Sequence, residues 1–233
     1  MLIIILSFVI LIIYFIFSSL LNVYNNKKLF ETVSNVDRGT KAERNLVLTL
    51  LKFGIPAQDI FHDLYVQRYK NSFSQVDLVV VTKAGIIIFE VKDYSGWIFG
   101  NGKQQKWTQV LAYGQQKYYF YNPIIQNNNH ILELRKQLKL SQEIPFYSII
   151  VFYGNCELKD ISFVPAGTFI ATHGRVLDVI ENIIINNESV NYSDKSKILH
   201  TLSEYVKNGK NIKTQTQHIE NIKDMLGEHR VFK

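Results

Sequence analysis

The chain has 233 residues, one cysteine and a formal net charge of +6, with a pI near 9.2. A single cysteine excludes an intrachain disulfide, so nothing in the fold demands an oxidising compartment. The basic balance suits a polyanion and equally an anionic membrane surface, and so does not separate nucleic acid from lipid.

Residues 2–21 carry no charge, and their only polar side chains are the hydroxyls of Ser7, Tyr14, Ser18 and Ser19. About 20 apolar residues cross a bilayer core of roughly 30 Å. A cleaved signal peptide is the rival reading. It wants a basic start, a shorter apolar core and a small-x-small cleavage site. The chain lacks the first, exceeds the second and offers only Ser18-Ser19-Leu20 for the third. An uncleaved anchor over residues 1–22 is therefore expected. Lys27 and Lys28 follow closely, and positive charge prefers the cytoplasmic side. That predicts a single-pass membrane protein with its C-terminal part in the cytoplasm. Residues 23–38 read as a polar juxtamembrane link. About 195 residues follow Arg38, enough for one α/β domain with a sizeable core.

A helix is predicted over residues 40–53, with Leu46, Leu50 and Phe53 on its apolar stripe. Thr40-Lys-Ala-Glu43 fits a capping box at its start. A strand follows near residues 61–69, then two apolar segments split by Thr82-Lys-Ala-Gly85. Leu78–Val81 and Ile86–Phe89 have strand length and β-branched character, and Gly85 suits the end of a four-residue hairpin loop. That even loop sets Val81 opposite Ile86, Val79 opposite Ile88, Asp77 opposite Glu90 and Gln75 opposite Lys92. Outside the turn, Asp77 and Glu90 are the only residues from Val76 to Val91 that are not apolar. Charges are rarely buried unless paired or bound to metal. Opposed Cβ atoms lie about 4.5–5.5 Å apart, so two facing carboxylates repel unless a cation lies between them. Mg²⁺ (or Mn²⁺) fits, since it takes hard oxygen ligands at about 2.0–2.1 Å from one or two carboxylates plus water and phosphate. Lys92, on the same face as Glu90, can orient or deprotonate a water or stabilise phosphorane charge. The plainer reading is an ordinary cross-strand salt bridge between Asp77 and Lys92.

Turn glycines and aromatics mark a further strand or turn at residues 97–107. Tyr113, Tyr118, Tyr119 and Tyr121 follow, interleaved with Lys117. Aromatics beside basic residues can stack exposed bases; for most of these the plainer reading is that they cover the core. Asn122 is a good N-cap and Pro123 fits the first helical position of a helix over residues 123–140. Its packing stripe is Ile124, Ile131, Leu134 and Leu138, and Gln126 and His130 share another face. His130 is placed either in the structure of the helix or against phosphate or a carboxylate. Residues 146–152 suit a buried parallel strand, and residues 168–171 a shorter one. Arg175 precedes a helix over residues 176–185, placed to meet phosphate or simply solvated. Helices near residues 194–207 and 214–226 close the chain. Apolar central strands require helices on both sheet faces.

Asp77 followed by Glu90-Val91-Lys92 resembles the Asp…(Asp/Glu)-x-Lys core of the restriction-endonuclease-like PD-(D/E)xK nucleases. Gln75-Val-Asp77, Gly85-Ile86, Glu90-Val-Lys-Asp-Tyr94-Ser-Gly96 and Asn122-Pro-Ile-Ile-Gln126-Asn-Asn-Asn-His130 together resemble the nuclease-related domain, NERD. The likeness covers residues 39–153. Val76 replaces the proline that names the superfamily, and Leu78 stands where many NERD members have histidine; neither change removes a metal ligand. The resemblance implies a mixed central sheet flanked by helices over residues 39–207, with residues 208–233 as a helical tail. It implies that Asp77, Glu90 and the Val91 carbonyl hold the metal and that Lys92 serves the attacking water. Glu43 would bind a second metal or its water, and Gln75 would orient a scissile-side group. Gln126, His130, Lys117 and Arg175 would contact nucleic acid, DNA before RNA. The expected function is a membrane-anchored, metal-dependent nuclease. The alternative is a non-catalytic, membrane-tethered nucleic-acid or protein binding module on the same fold.

Overall fold

Strands that are apolar on both faces need cover on both sides, and that requirement organises this molecule. A computed structural model describes residues 2–68, 72–111, 114–139 and 144–209. Its elements are α1 (Leu2–Glu31), α2 (Lys41–Phe53), β1 (Ile60–Gln67), β2 (Phe73–Thr82), β3 (Gly85–Asp93), β4 (Gly96–Asn101), β5 (Lys106–Leu111), β6 (Gln116–Tyr121), α3 (Pro123–Leu138), β7 (Phe146–Tyr153), β8 (Cys156–Ser162), β9 (Thr168–Thr172), α4 (Val176–Asn186) and α5 (Lys195–Asn208). Tyr113 and the helix expected near residues 214–226 lie outside the described residues.

The main sheet has the order β1-β2-β3-β7-β9. Its first three strands are antiparallel, and β3, β7 and β9 run parallel. Leu78, Val80, Ile87 and Phe89 point into one apolar layer with α2 and α4; Val79, Val81, Ile86 and Ile88 point into the other with α3 and α5. Each aliphatic side chain so buried contributes roughly 1.5–3 kcal/mol. The hairpin register runs as expected from Val81↔Ile86 to Val79↔Ile88. The loop is shorter than expected: Thr82 pairs with Gly85, leaving Lys83 and Ala84 as a two-residue turn. Parity survives because both lengths are even. Gly85 has φ +140°, and a Cβ there would lie 2.4 Å from the Pro145 carbonyl oxygen.

A second sheet, β6-β5-β4-β8, takes the place of the single strand or turn expected at residues 97–107. Its first part leaves the main sheet after β3, and β8 leaves after β7. It is seated by Trp107, which stacks on Phe152 with ring centroids 6.2 Å apart and planes 5° apart. The tyrosines of β6 do not cover a core. Tyr118, Tyr119 and Tyr121 are exposed, and of that strand only Phe120 packs inward.

At the other end, α1 is a helix long and apolar enough to cross a membrane. The stretch 23–38, expected as a polar link, stays helical to Glu31, and Phe30 is buried in the main core. Arg38, at the end of that stretch, is buried as well. Its Nε donates to Asp63 Oδ2 at 2.9 Å and its Nη1 to the Val206 carbonyl at 2.8 Å. One guanidinium thus ties α5 to β1, at a residue (Asp63, φ +56°) held in the left-handed region.

Removing one partner of a buried ion pair typically costs about 3–5 kcal/mol, because the other charge is stranded. Arg38→Ala is therefore expected to lower unfolding free energy by that order in chemical denaturation. Glu204→Ala, which breaks only exposed contacts with Lys207 and His200, is expected to leave it almost unchanged. Equal effects from the two substitutions would contradict this role for Arg38.

Candidate metal and nucleic-acid site

The β2–β3 ladder closes as far as Leu78↔Phe89 and stops one step short of Asp77 and Glu90. The β1–β2 ladder skips the same place, passing from His62↔Leu78 to Leu64↔Val76. The alternation of β2 also breaks there: Val76 joins the layer that holds Val79 and Val81. In the wedge between the parting strands, Asp77 Oδ2 accepts the Val91 N–H at 2.8 Å. Asp77 therefore substitutes for a strand at this point. The expected closed pairing of Asp77 with Glu90, and of Gln75 with Lys92, is corrected accordingly. The strands have parted, and Gln75 pairs with Tyr65 of β1 instead.

Glu90 is 1% exposed. Its Oε1 lies 2.6 Å from Lys92 Nζ, and Lys92 also donates to Gln126 Oε1 at 3.1 Å. Glu90 Oε2 lies 3.5 Å from His130 Nε2, too long for a well-formed hydrogen bond. His130 Nδ1 is 3.0 Å from Ser74 Oγ. The face of α3 expected from the spacing of Gln126 and His130 therefore meets the two charged residues of β3. Asn127, between them, donates to the Ile88 carbonyl at 2.9 Å and Ser148 Oγ at 2.8 Å, fixing α3 against the sheet. Asn122 caps the helix by accepting from Ile124 N–H at 2.9 Å.

Glu43 caps α2, as its place in the capping box predicts. Its N–H donates to Thr40 Oγ1 at 3.3 Å, and Thr40 Oγ1 donates to Glu43 Oε1 at 2.8 Å. Its Oε2 lies 3.4 Å from Nε2 of His62, a fully buried ring with Phe30 edge-on at 5.7 Å. Gly39 leaves the room: a Cβ there would fall 2.4 Å from His62 Nε2 and 2.6 Å from Glu43 Oε2. Gln75 Nε2 donates to Asp63 Oδ1 at 2.8 Å, joining the Arg38–Asp63 pair.

The charges divide unevenly. Burial pushes the Asp77 carboxyl up, the Glu90 and Glu43 charges push it further, and Lys92 and the Val91 N–H offset only part, leaving it well above the usual carboxylate range. Burial also raises Glu90, but the Lys92 ammonium and nearby His130 outweigh it, and its carboxyl lies below its ordinary value. Burial raises Glu43, yet His62 and Thr40 bring it below its ordinary value. Burial lowers Lys92, while Glu90 and Asp77 more than compensate, so it stays protonated at neutral pH. Glu90 and Asp77 thus share the Lys92 ammonium, Glu43 leans on His62 and Thr40, and Asp77 bears the shortfall.

Among the described residues, Glu90 Oε2 and Glu43 Oε2 are buried and accept no hydrogen bond. No group of three or more His, Cys, Asp or Glu side chains there makes a ready-built cage. Orphaned carboxylate oxygens beside a destabilised third carboxyl fit a hard divalent cation, which needs only one or two protein carboxylates. The all-protein tetrahedral sets used by zinc do not fit.

Two expected contacts stand apart from this cluster. Lys117 is exposed on the edge strand β6. Arg175 is exposed and engaged with Asp178, although β9 brings it to the same end of the sheet as Lys92, through the row Lys92↔Phe152↔Thr172. Two neighbours of the site, His62 and Asp63, escaped the sequence reading. The rule that flagged Asp77 would have found them: both are polar residues inside the apolar run Ile60-Phe-His-Asp-Leu-Tyr-Val66.

The nuclease-related domain model matches residues 38–153. That span begins at Arg38, ends with β7, and encloses Glu43, Asp77, Glu90, Lys92, Gln126 and His130. An uncharacterized protein of Bacillus anthracis is 29% identical over 125 residues, which are 54% of this chain and 57% of that protein. The chain thus spans little more than half the length of that curated relative. No solved structure gives a significant match. The parted strands, the Asp…Glu-x-Lys trio and the capped Asn-Pro helix lie inside the matched span, and through residues 38–153 the chain belongs to the nuclease-related domain family of the PD-(D/E)xK superfamily.

Proposed function

We propose that this chain is a membrane-anchored nuclease that hydrolyses phosphodiester bonds with Mg²⁺ or Mn²⁺, DNA before RNA. The observation that carries the reading is the meeting of Asp77, Glu90 and Lys92 in the wedge, with Glu90 Oε2 orphaned and Asp77 reluctant to ionise. Asp77, Glu90 and the Val91 carbonyl would hold the ion. When bound, a divalent ion neutralises phosphoryl charge and makes water more acidic.

The chain's own residues take the remaining roles. Lys92 stays an ammonium at neutral pH, so it donates rather than accepts a proton. It orients the attacking water or stabilises charge on the phosphoryl oxygens. Gln126 fixes its Nζ from one side and Glu90 from the other. His130, braced by Ser74, stands beside the free oxygen of Glu90. Glu43 faces the same charge cluster and offers its free oxygen to a second ion or a water. Gln75, tied to Asp63, would steer a group on the scissile side. The anchor is supported by the uncharged residues 2–26 of α1, and Lys27 and Lys28 after them favour a cytoplasmic domain.

The second reading, a tethered binding module without catalysis, has one observation in its favour. Lys92 already occupies Glu90 Oε1 at 2.6 Å, a closed pair that needs no metal.

Two measurements separate the readings. Glu90→Gln and Lys92→Ala are each expected to reduce Mg²⁺-dependent cleavage of DNA by about a hundredfold or more, with far-UV circular dichroism unchanged. Wild-type rates in either folded variant remove the nuclease assignment. Asp77→Asn keeps an oxygen for the Val91 N–H and deletes the clashing charge. In metal-free buffer it is expected to raise the thermal midpoint, by about 2–4 °C for each kcal/mol of relieved repulsion. It should also abolish the further rise that Mg²⁺ gives the wild type. A lower midpoint without metal, or an intact Mg²⁺ response, contradicts the charge account.

A further inference from the structure

The second sheet has a face that the proposed cleavage chemistry does not use. Residues paired across neighbouring strands share a face. The rows Ile98–Gln109–Tyr118 and Trp107–Phe120 lie on the side that packs against Phe152. The other side carries the rows Trp97–Val110–Lys117, Phe99–Thr108–Tyr119 and Lys106–Tyr121. Tyr119 is 64% exposed and Tyr121 49%, unusual values for two rings side by side on one sheet. They stand two residues apart on one strand, about 7 Å.

The β4–β6 part of this face is basic. Residues 94–132 contain Lys103, Lys106 and Lys117 and no aspartate or glutamate. Acids enter this face on β8, where Glu157 pairs with Trp97 and Asp160 with Phe99 in register; Glu157 is engaged by Lys159, whose Nζ stands 5.3 Å over the Trp97 ring. An open cleft lined by Ser95, Trp97, Val110, Asn155, Cys156 and Glu157 lies at the β4–β8 end. β4 starts three residues after β3 ends, and β3 carries Glu90 and Lys92. The face and the metal site thus adjoin along the chain.

The geometry points to a binding platform for single-stranded nucleic acid on this face. Tyr119 and Tyr121 stack unpaired bases, Lys106 and Lys117 meet the phosphates, and the cleft at Trp97 takes a further base. A duplex keeps its bases stacked inside and would meet only the lysines, so the rings select for single strands. This deepens the nucleic-acid reading above and rests on it. Binding measured in chelator is independent of cleavage, so failure of one is told from failure of the other.

The test uses the full chain in detergent micelles with EDTA and a fluorescein-labelled oligothymidylate of about 20 nucleotides, read by anisotropy. The double variant Tyr119→Ala/Tyr121→Ala is expected to weaken binding about tenfold per ring, and Tyr119→Phe/Tyr121→Phe to keep it. Lys106→Gln/Lys117→Gln should flatten the slope of log affinity against log salt by about 0.7 per lysine. An equal-length duplex should bind more weakly and be indifferent to the tyrosine changes. Unchanged single-strand affinity in the folded alanine variant overturns the proposal. So does an equal loss in the phenylalanine variant, or tighter binding of duplex. Tyrosine-dependent binding to phosphatidylserine nanodiscs with none to the oligonucleotide also overturns it and makes the face a membrane rest.

Discussion

One hydrogen bond organises the chemistry of this molecule: the Val91 N–H donates to the side chain of Asp77 where a neighbouring strand would normally accept it. Main-chain donors in a buried sheet must find a partner. Here the partner is a carboxylate, and supplying it lets β2 and β3 separate without leaving an orphan. The gap so made lies among three acids and an ammonium. Had the ladder continued, Asp77 and Glu90 would have been a closed strand pair with no room between them. The skipped pair on the β1 side, with Asp63 in the left-handed region, shows that the break runs through two ladders.

That arrangement is costly to folding by itself. Glu90 is almost wholly buried, and a buried ion pair such as Glu90–Lys92 seldom improves on apolar packing. Asp77 is worse placed, since burial and two neighbouring carboxylates oppose its ionisation. Groups whose environments push their protonation apart mark functional sites more often than structural ones. The surrounding fold is built to carry the cost: apolar layers cover both faces of the hairpin, Asn127 pins the N-terminal part of α3 to the sheet, and Arg38 holds β1 to α5. The same Arg38 follows a helix that buries Phe30 against His62, so the end of the apolar N-terminal helix packs against the edge of the charge cluster.

Much of this was legible in the chain. Acids in an otherwise aliphatic hairpin pointed to the candidate site, and the even loop gave the right parity although its length was two residues, not four. The Asn-Pro start and the four-residue spacing of Gln126 and His130 placed the helix that buttresses Glu90 and Lys92. The parting of the strands was not legible, because periodicity describes which way side chains point and not where a ladder ends. That is why Gln75 was set opposite Lys92 and is found beside Asp63. The second sheet was also missed. Its strands are six or seven residues long, interrupted by glycine, glutamine and lysine, and partly exposed, so they lack the unbroken apolar run that marks a central strand. The tyrosines of β6 misled for a related reason: aromatic residues ordinarily signal burial, and here three of them face water.

The central claim is that a divalent cation belongs in the wedge between Asp77 and Glu90. A crystal structure of the chain soaked in Mn²⁺, read by anomalous scattering, tests it most directly. The account predicts an ion within coordination distance of Asp77 and Glu90 side-chain oxygens, with Lys92 displaced from Glu90 or retained on its other oxygen. An empty wedge at saturating Mn²⁺, with Lys92 still closing on Glu90, would contradict it.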